Sequence, residues 1–312
     1  MADPLALTAL MLDAAIGWPA RLYARVGHPV GAFARLIQAC EARWNGPERG
    51  AGLRHMLGVA MLALLLVFAG GGGWAAQWAV RTMAGGHGWP LLALLAFPAL
   101  AQRSLHDHVR PVAAALDAGD LPAARRAVSM IVGRDTQALD EAGVARAAIE
   151  TLAESFCDGI VAPLFWLLVG GLPGVWAYKA VNTADSLVGH REQRWRAFGW
   201  ASARTDDLFN LLPARIGGVL LCLAGGGGWR IMMRDAHRHA SPNAGWTESA
   251  MAGCMGLRLA GPIAYDGVMQ DKDWIGEGRA EARAADIVRA LALYRRACLL
   301  LWLIAGGCAW AL

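Results

Sequence analysis

The sequence predicts an all-α, polytopic integral membrane protein with about four to five membrane-embedded helices, some broken or re-entrant, joined by helical cytoplasmic segments. Three observations predict it. Hydrophobic residues make up 56% of the chain against 17% charged, and the mean hydropathy is +0.35, which is not the composition of a soluble domain. Uncharged runs recur at lengths that suit a bilayer. The polar stretches between them place like residues at helical spacing. The whole chain, 1–312, reads as a single membrane-embedded domain, with approximate membrane segments at 56–80, 84–102, 159–178, 212–229 and 297–312.

Taken in order, Leu5–Leu12 is apolar but flanked by Asp3 and Asp13. It lacks a basic leading region, so no cleaved signal peptide is expected. The stretch Asp13–Arg54 carries six arginines and the breakers Gly17, Pro19, His28-Pro29 and Gly46-Pro47, and reads as short helices and turns at a membrane face. Between Arg54 and Arg81 lie 26 uncharged residues, and between Arg81 and Arg103 another 21; each suffices for one crossing. Gly70–Gly73 is expected to end the first span early. Arg103–Asp158 is polar and helical in pattern, with Leu121-Pro122 opening one helix and Asp135 or Thr136 capping the next. The uncharged Gly159–Tyr178 contains Pro163, Gly170, Gly171, Pro173 and Gly174. Such a broken segment either lines a site within the membrane or turns back without crossing. Ile216–Trp229 is short and ends in four glycines, Arg230–Arg296 is polar with ten basic residues, and Ala297–Leu312 reads as a final membrane helix.

Charge and cysteine usage exclude several classes. The net charge of +4 rests almost wholly on arginine, without a basic run of the kind that tracks nucleic acid. Six scattered cysteines without a CxxC pair read as buried apolar residues, with no disulfide framework or zinc site. Neither a GxxxxGK[ST] loop nor a GxGxxG fingerprint is present, so a nucleotide would bind by another mode. Tryptophans at segment ends, such as Trp74, Trp89, Trp176 and Trp229, fit an interfacial belt. Arginine is concentrated in the polar stretches, which places them on the cytoplasmic side.

Two constellations carry chemistry. Arg146, Glu150, Glu154 and Asp158 follow one another at four-residue intervals, which on a helix forms one charged stripe running into an apolar segment. A solvated face with ordinary ion pairs would leave the same pattern. At a low-dielectric boundary, however, clustered carboxylates repel unless a cation sits among them, so Glu150, Glu154 and Asp158 are candidate acid/base groups or magnesium ligands. The second constellation is Asn182-x-x-Asp185 with Asp206-Asp207-x-x-Asn210. Magnesium prefers one or two carboxylates together with phosphate oxygens and water, and two short Asp/Asn helices face to face supply that. The competing explanation is helix capping. Arg134, Lys179, Arg204 and Arg215 are candidate phosphate contacts.

Several blocks in one order carry a family resemblance. They are Ser129-x-Ile131-Val132-Gly133-Arg134-Asp135-Thr136, then Glu150-x-x-x-Glu154-x-x-x-Asp158-Gly159-Ile160-Val161-Ala162-Pro163, and Tyr178-Lys179-Ala180-Val181-Asn182-Thr183-x-Asp185-Ser186. Ala203-Arg204-x-Asp206-Asp207-x-x-Asn210-x-x-Pro213-Ala214-Arg215 and Ser241-Pro242-Asn243-Ala244-Gly245 complete the set. From about Asp13 to the last helix the chain resembles the adenosylcobinamide-phosphate synthase family of cobalamin biosynthesis (CobD/CbiB). Ser155, His190 and Trp18 depart from the family's usual pattern.

The resemblance implies a cell inner membrane enzyme, an amide-forming ligase that joins aminopropanol or its phosphate to a propionate carboxylate of adenosylcobyric acid, a corrinoid, at the expense of ATP. It implies Mg2+ as cofactor, the corrinoid, the amine and the lipid bilayer as partners, and contact with other membrane enzymes of cobalamin assembly. It adds Asp135 and Asn243 to the substrate-binding candidates. Two other classes fit parts of the pattern: a membrane prenyltransferase, whose Asp-rich helices hold a diphosphate through magnesium, and a non-catalytic membrane protein that binds a corrinoid.

Overall fold

The structure is a computed structural model that describes residues 4–311 apart from Arg134, Pro262, Asp266, Gly267, Asp271 and Lys272. About 78% of the chain is helical, with almost no sheet. In chain order the helices are α1 (Leu5–Ile16), α2 (Ala20–Val26), α3 (Pro29–Trp44), α4 (Ala51–Ala84), α5 (Trp89–Ala96), α6 (Gln102–Asp117) and α7 (Leu121–Ser129). They continue with α8 (Glu141–Phe156), α9 (Ala162–Val188), α10 (Trp200–Phe209), α11 (Leu211–Gly225), α12 (Trp229–Asp235), α13 (Ala244–Met255) and α14 (Ala284–Ala311). Two short antiparallel pairs interrupt the helical pattern before α14: β1 (Leu259–Ala260) with β4 (Trp274–Ile275), and β2 (Ile263–Tyr265) with β3 (Val268–Gln270). The all-α expectation did not include these strands, although the Asp266-Gly267 dipeptide between β2 and β3 is a hairpin signal in the sequence.

The chain divides into two compact units, one comprising residues 1–101, 162–210 and 305–312, the other 102–161 and 211–304. In the first, α4 is the spine. Its 34 residues rise about 50 Å, and α9 packs along it. The core joins Phe33 and Ile37 of α3, Met61, Leu65 and Ala69 of α4, Ala180, Ala184 and Val188 of α9, and Phe198. The glycine run 70–73 does not end α4. A Cβ at Gly73 would lie 2.8 Å from the carbonyl oxygen of Leu172, whereas Gly71 and Gly72 face open space; Gly73 is the member of the run that lets α9 approach closely. That approach occurs where α9 breaks, at Gly171 (φ 62°, ψ −150°), a conformation that glycine adopts readily. The Leu172 N–H freed by the break donates to Gln77 Oε1 at 2.9 Å, so a single amide in an apolar helix satisfies the kink.

In the second unit α8 is almost wholly buried, apart from the face that carries Arg146, Glu150 and Glu154. The helices α6, α7 and α13 pack against it, and α13 also packs on α11 and α12. Asp140, not Asp135 or Thr136, caps α8, accepting from the N–H of Gly143 at 2.7 Å. Asp135 instead accepts from the N–H of Gln137 in a local turn, and Thr136 donates to Arg125 O. Asp120 caps α7, with Pro122 in its first turn.

Among the described residues two helical stretches are long and apolar enough to cross a membrane, one within Ala51–Asp117 and one within Glu141–Val188. The number rises to four if each of two bent helix pairs, the first within residues 5–44 and the second α10 with α11, makes one span. The 84–102 segment is not one continuous membrane helix: α5 has eight residues, with a 3-10 turn on either side. Its apolar residues Leu92, Ala93, Ala96, Phe97 and Leu100 are buried inside the unit, so their apolarity serves protein packing. The indole N–H of Trp176 donates to Leu95 O within the unit. Among the described residues α14 does not pass the test for a span; Arg289, Arg295 and Arg296 occupy its first half.

Candidate functional site

Two polar clusters form, one in each unit. The first lies where α9 and α10 pack together. On α10, Ser202, Asp206 and Asn210 repeat at four-residue intervals and so share a face; they are 0%, 8% and 2% exposed. The fully buried Tyr178 of α9 donates its phenolic O–H to Asn210 Oδ1 at 3.0 Å. Asn210 Nδ2 donates in turn to Asp206 Oδ2 at 3.0 Å, and Asn182 Nδ2 points to Asp206 Oδ1 at 3.4 Å. The charge of Asp185 also acts on Asp206. The Asp185 side chain occupies the space beside Gly189, where a Cβ would lie 1.9 Å from Asp185 Oδ1.

The neighbouring carboxylate goes elsewhere. Successive helical residues point about 100° apart, and Asp207, half-buried, pairs with Arg204 of its own helix at 3.3 Å. Lys179, next to Tyr178, lies close enough to His28 for its charge to be felt there.

Among the described residues no three of His, Cys, Asp and Glu converge on a ready-made metal cage. Magnesium bound through a substrate phosphate needs only one or two carboxylates, and this cluster offers a buried Asp206 with the charge of Asp185 acting on it. The Ser202 hydroxyl is a further mark of fit: it is buried without a hydrogen-bond partner, one turn from Asp206 on the same face. A buried orphan of this kind asks for an ion or water.

The second cluster surrounds Glu150. Its Oε1 accepts the N–H of Ala260 at 2.8 Å, and Ala260 has a positive φ (55°), a conformation that alanine holds only when its surroundings impose it. Arg146 donates to Ala280 O at 3.0 Å, and its guanidinium lies 5.3 Å from the Trp274 ring centroid. Arg258 lies at the same distance from that ring. Glu154 is exposed and Asp158 half-buried. A π-turn, Cys157–Val161, follows α8, and it interrupts the four-residue stacking expected to carry the stripe on to Asp158.

The turn that presents Trp274 is anchored from α12. Asp235, 0% exposed, takes the Arg234 guanidinium in two bonds of 2.6 Å and the Gly276 N–H at 2.9 Å. The Arg234 guanidinium holds the Asp235 carboxyl below the usual carboxylate range against the opposing effect of burial, and Gly276 N–H and Arg238 add to it. Glu277 closes the clasp by pairing with Arg230 and Arg234.

Near the start of α13, Arg215 reaches Asn243 Oδ1 at 3.5 Å and stacks on Trp246 at 4.7 Å. The Ser241 hydroxyl accepts the N–H groups of Asn243 and Ala244. Gly245 allows a close approach, since a Cβ there would lie 2.0 Å from Ala236 O. The sequence did not single out Glu248, which is 4% exposed and faces His239 Nε2 at 3.5 Å. Trp274 and Arg258 were also missed, although a tryptophan inside a strongly polar stretch was a signal. Arg134 lies outside the described residues, and Asp135 is exposed on its turn.

These features define a class: a helical protein with apolar helices long enough to cross a membrane, which keeps a buried carboxylate–amide network and an arginine-backed carboxylate stripe. The profile of one family, CobD/Cbib protein, matches residues 6–294. A Rhodobacter capsulatus protein named Cobalamin biosynthesis protein CobD is 50% identical over 307 residues, covering 96% of this chain and 95% of its own. Proteins of the same name from a Sinorhizobium species and from Geobacter metallireducens are 46% and 44% identical, covering 93% and 88% of this chain and 93% and 87% of their own. No solved structure matches the chain. The chain belongs to the CobD/CbiB family.

Proposed function

We propose that this protein acts in cobalamin biosynthesis as an ATP-dependent ligase of the cell inner membrane. It joins aminopropanol or aminopropanol phosphate to the propionate carboxylate of adenosylcobyric acid, giving adenosylcobinamide or its phosphate. The observation that carries this reading is the end-to-end match, at 50% identity, to a protein named Cobalamin biosynthesis protein CobD.

The chemistry needs two kinds of help, and the two clusters suit them. A carboxylate is a poor acyl donor, so it is first phosphorylated by ATP, and the amine then displaces phosphate. Bound at Asp206 and Asp185, magnesium would neutralise phosphate charge. Asn182 and Asn210 orient the Asp206 carboxylate, and Lys179 and Arg204 are the cations of the same unit offered to phosphate oxygens, positioning being most of what phosphoryl transfer requires; Arg215, held against Asn243 and Trp246 in the other unit, is kept as a separate phosphate candidate. Asp207 is tied to Arg204 and tunes that cation. In the second step the substrate ammonium must lose a proton before its nitrogen can attack, and this reading assigns that proton to Glu150, whose carboxylate is oriented by the Ala260 N–H. The exposed Glu154, and Asp158, which the π-turn takes off the stripe, are the carboxylates this reading leaves for contact with the substrate.

The direct test is to incubate the purified protein in detergent with adenosylcobyric acid, ATP, magnesium and either amine, and to look for the amide by mass. Amide formed only with both ATP and magnesium supports the reading. A corrinoid bound without turnover makes the protein a carrier, and consumption of an isoprenoid diphosphate makes it a prenyltransferase.

A further inference from the structure

We propose that Tyr178 and Asn210 are positioning residues that orient Asp206 toward a divalent cation, and that Asn210 is not itself a ligand. This rests on the magnesium reading of the α9–α10 cluster.

The argument begins with the hydrogen-bonding inventory of an amide, one accepting oxygen and one donating NH2 group. A carboxylate that holds a cation is ionised and only accepts, so in the cation-bound state the Asn210 atom 3.0 Å from Asp206 Oδ2 must be the nitrogen, as it is here. Its oxygen therefore faces the phenol of Tyr178, which donates at 3.0 Å. Turning the amide over would set its oxygen against the carboxylate and leave buried groups unpaired. Both ends of Asn210 are thus engaged within the protein, and its 2% exposure leaves little room for it to reach out. The spacing Asp206-x-x-x-Asn210 suggested two ligands on one face; the geometry points to one ligand and its holder. Tyr178 stands one step further back and reaches Asp206 through Asn210. Outer partners of this kind set the direction of a ligand's lone pairs, and their loss typically weakens metal binding by about tenfold to a hundredfold.

The experiment measures Mn2+ binding to the whole protein in detergent, by the electron paramagnetic resonance signal of the free ion, for wild type, Tyr178→Phe, Asn210→Ala, the double variant and Asp206→Asn. Phenylalanine keeps the ring and removes only the hydroxyl. Thermal unfolding of each variant is followed alongside. The expected result is that Tyr178→Phe and Asn210→Ala each weaken Mn2+ binding about tenfold or more. The double variant should be no weaker than Asn210→Ala, because Tyr178 acts through Asn210. In turnover, the apparent KM for magnesium should rise by more than kcat falls. If Asp206→Asn loses Mn2+ while Tyr178→Phe binds it as wild type does, even at a lowered unfolding temperature, the relay is refuted and the metal reading stands. If the two single losses add in the double variant, Tyr178 does not act through Asn210 and the relay is likewise refuted. If Asp206→Asn binds Mn2+ unchanged, the metal reading fails and this proposal with it.

Discussion

Replacing Glu150 by Gln and by Ala separates its chemical role from its structural one. Glu150 Oε1 accepts the Ala260 N–H at 2.8 Å, and a glutamine oxygen can accept the same bond. Glu150→Gln therefore leaves β1 docked on α8 while it removes the negative charge and the basicity. Loss of a general base costs about two to four orders of magnitude in rate, or about 2.7–5.4 kcal/mol on the barrier at 1.36 kcal/mol per tenfold. Glu150→Ala removes the acceptor as well. The Ala260 N–H is then left without its partner at a costly backbone conformation, and stability falls by a further 1–3 kcal/mol or so. The assay is amide formation followed by mass, with thermal unfolding measured in the same detergent. The expected pattern is Gln slow but stable, and Ala slow and less stable. Near-wild-type turnover of Glu150→Gln would refute the base assignment. Equal loss of stability in both variants would refute the reading of the Ala260 contact.

Other outcomes follow from the same geometry. Glu154→Gln, at an exposed position, should reduce turnover less than tenfold, and a larger loss measured beside Glu150→Gln would move the base to Glu154. Gly73→Ala should destabilise by about 1–3 kcal/mol because its Cβ meets rigid backbone, while Gly72→Ala, facing open space, should stabilise by about 0.5–1 kcal/mol; the two thermal unfolding curves decide. The folded-state pKa of Asp235 is depressed, so its stabilising contribution is present above the ordinary carboxylate pKa and is lost as pH falls through the depressed value. Asp235→Asn should flatten the acid limb of a stability–pH profile, and an unchanged limb would show the clasp to be idle. Single cysteines at the exposed Glu154 and Arg204 positions, in a cysteine-free background, should react from the cytoplasmic side of sealed vesicles. Labelling of either from the opposite side only would overturn the orientation.

Composition and period by themselves determined that this chain is helical and apolar enough for a membrane, and the ordered motif blocks contain Asn182, Asp185, Asp206, Asn210 and Glu150 but not their partners Ala260 and Trp274. Those features are local, since hydropathy depends on single residues and helical phase on spacing within one segment. Tertiary structure alone decided which side each residue serves. Asp206 and Asp207 are adjacent and chemically identical, and only the packing of α10 on α9 turns the first inward to Asn182 and Asn210 and leaves the second to Arg204. The same holds for glycines 70 to 73, which in a sequence look like a helix end and in the fold admit the broken α9 to α4. It holds for 84–102 as well, where Leu92, Ala93, Ala96, Phe97 and Leu100 are buried within the unit while Leu91 and Leu94 stay exposed. The physical reason is common to all three. A sequence records the transfer free energy of each side chain, but whether lipid, protein or a partner's hydrogen bond receives that side chain depends on segments far away along the chain.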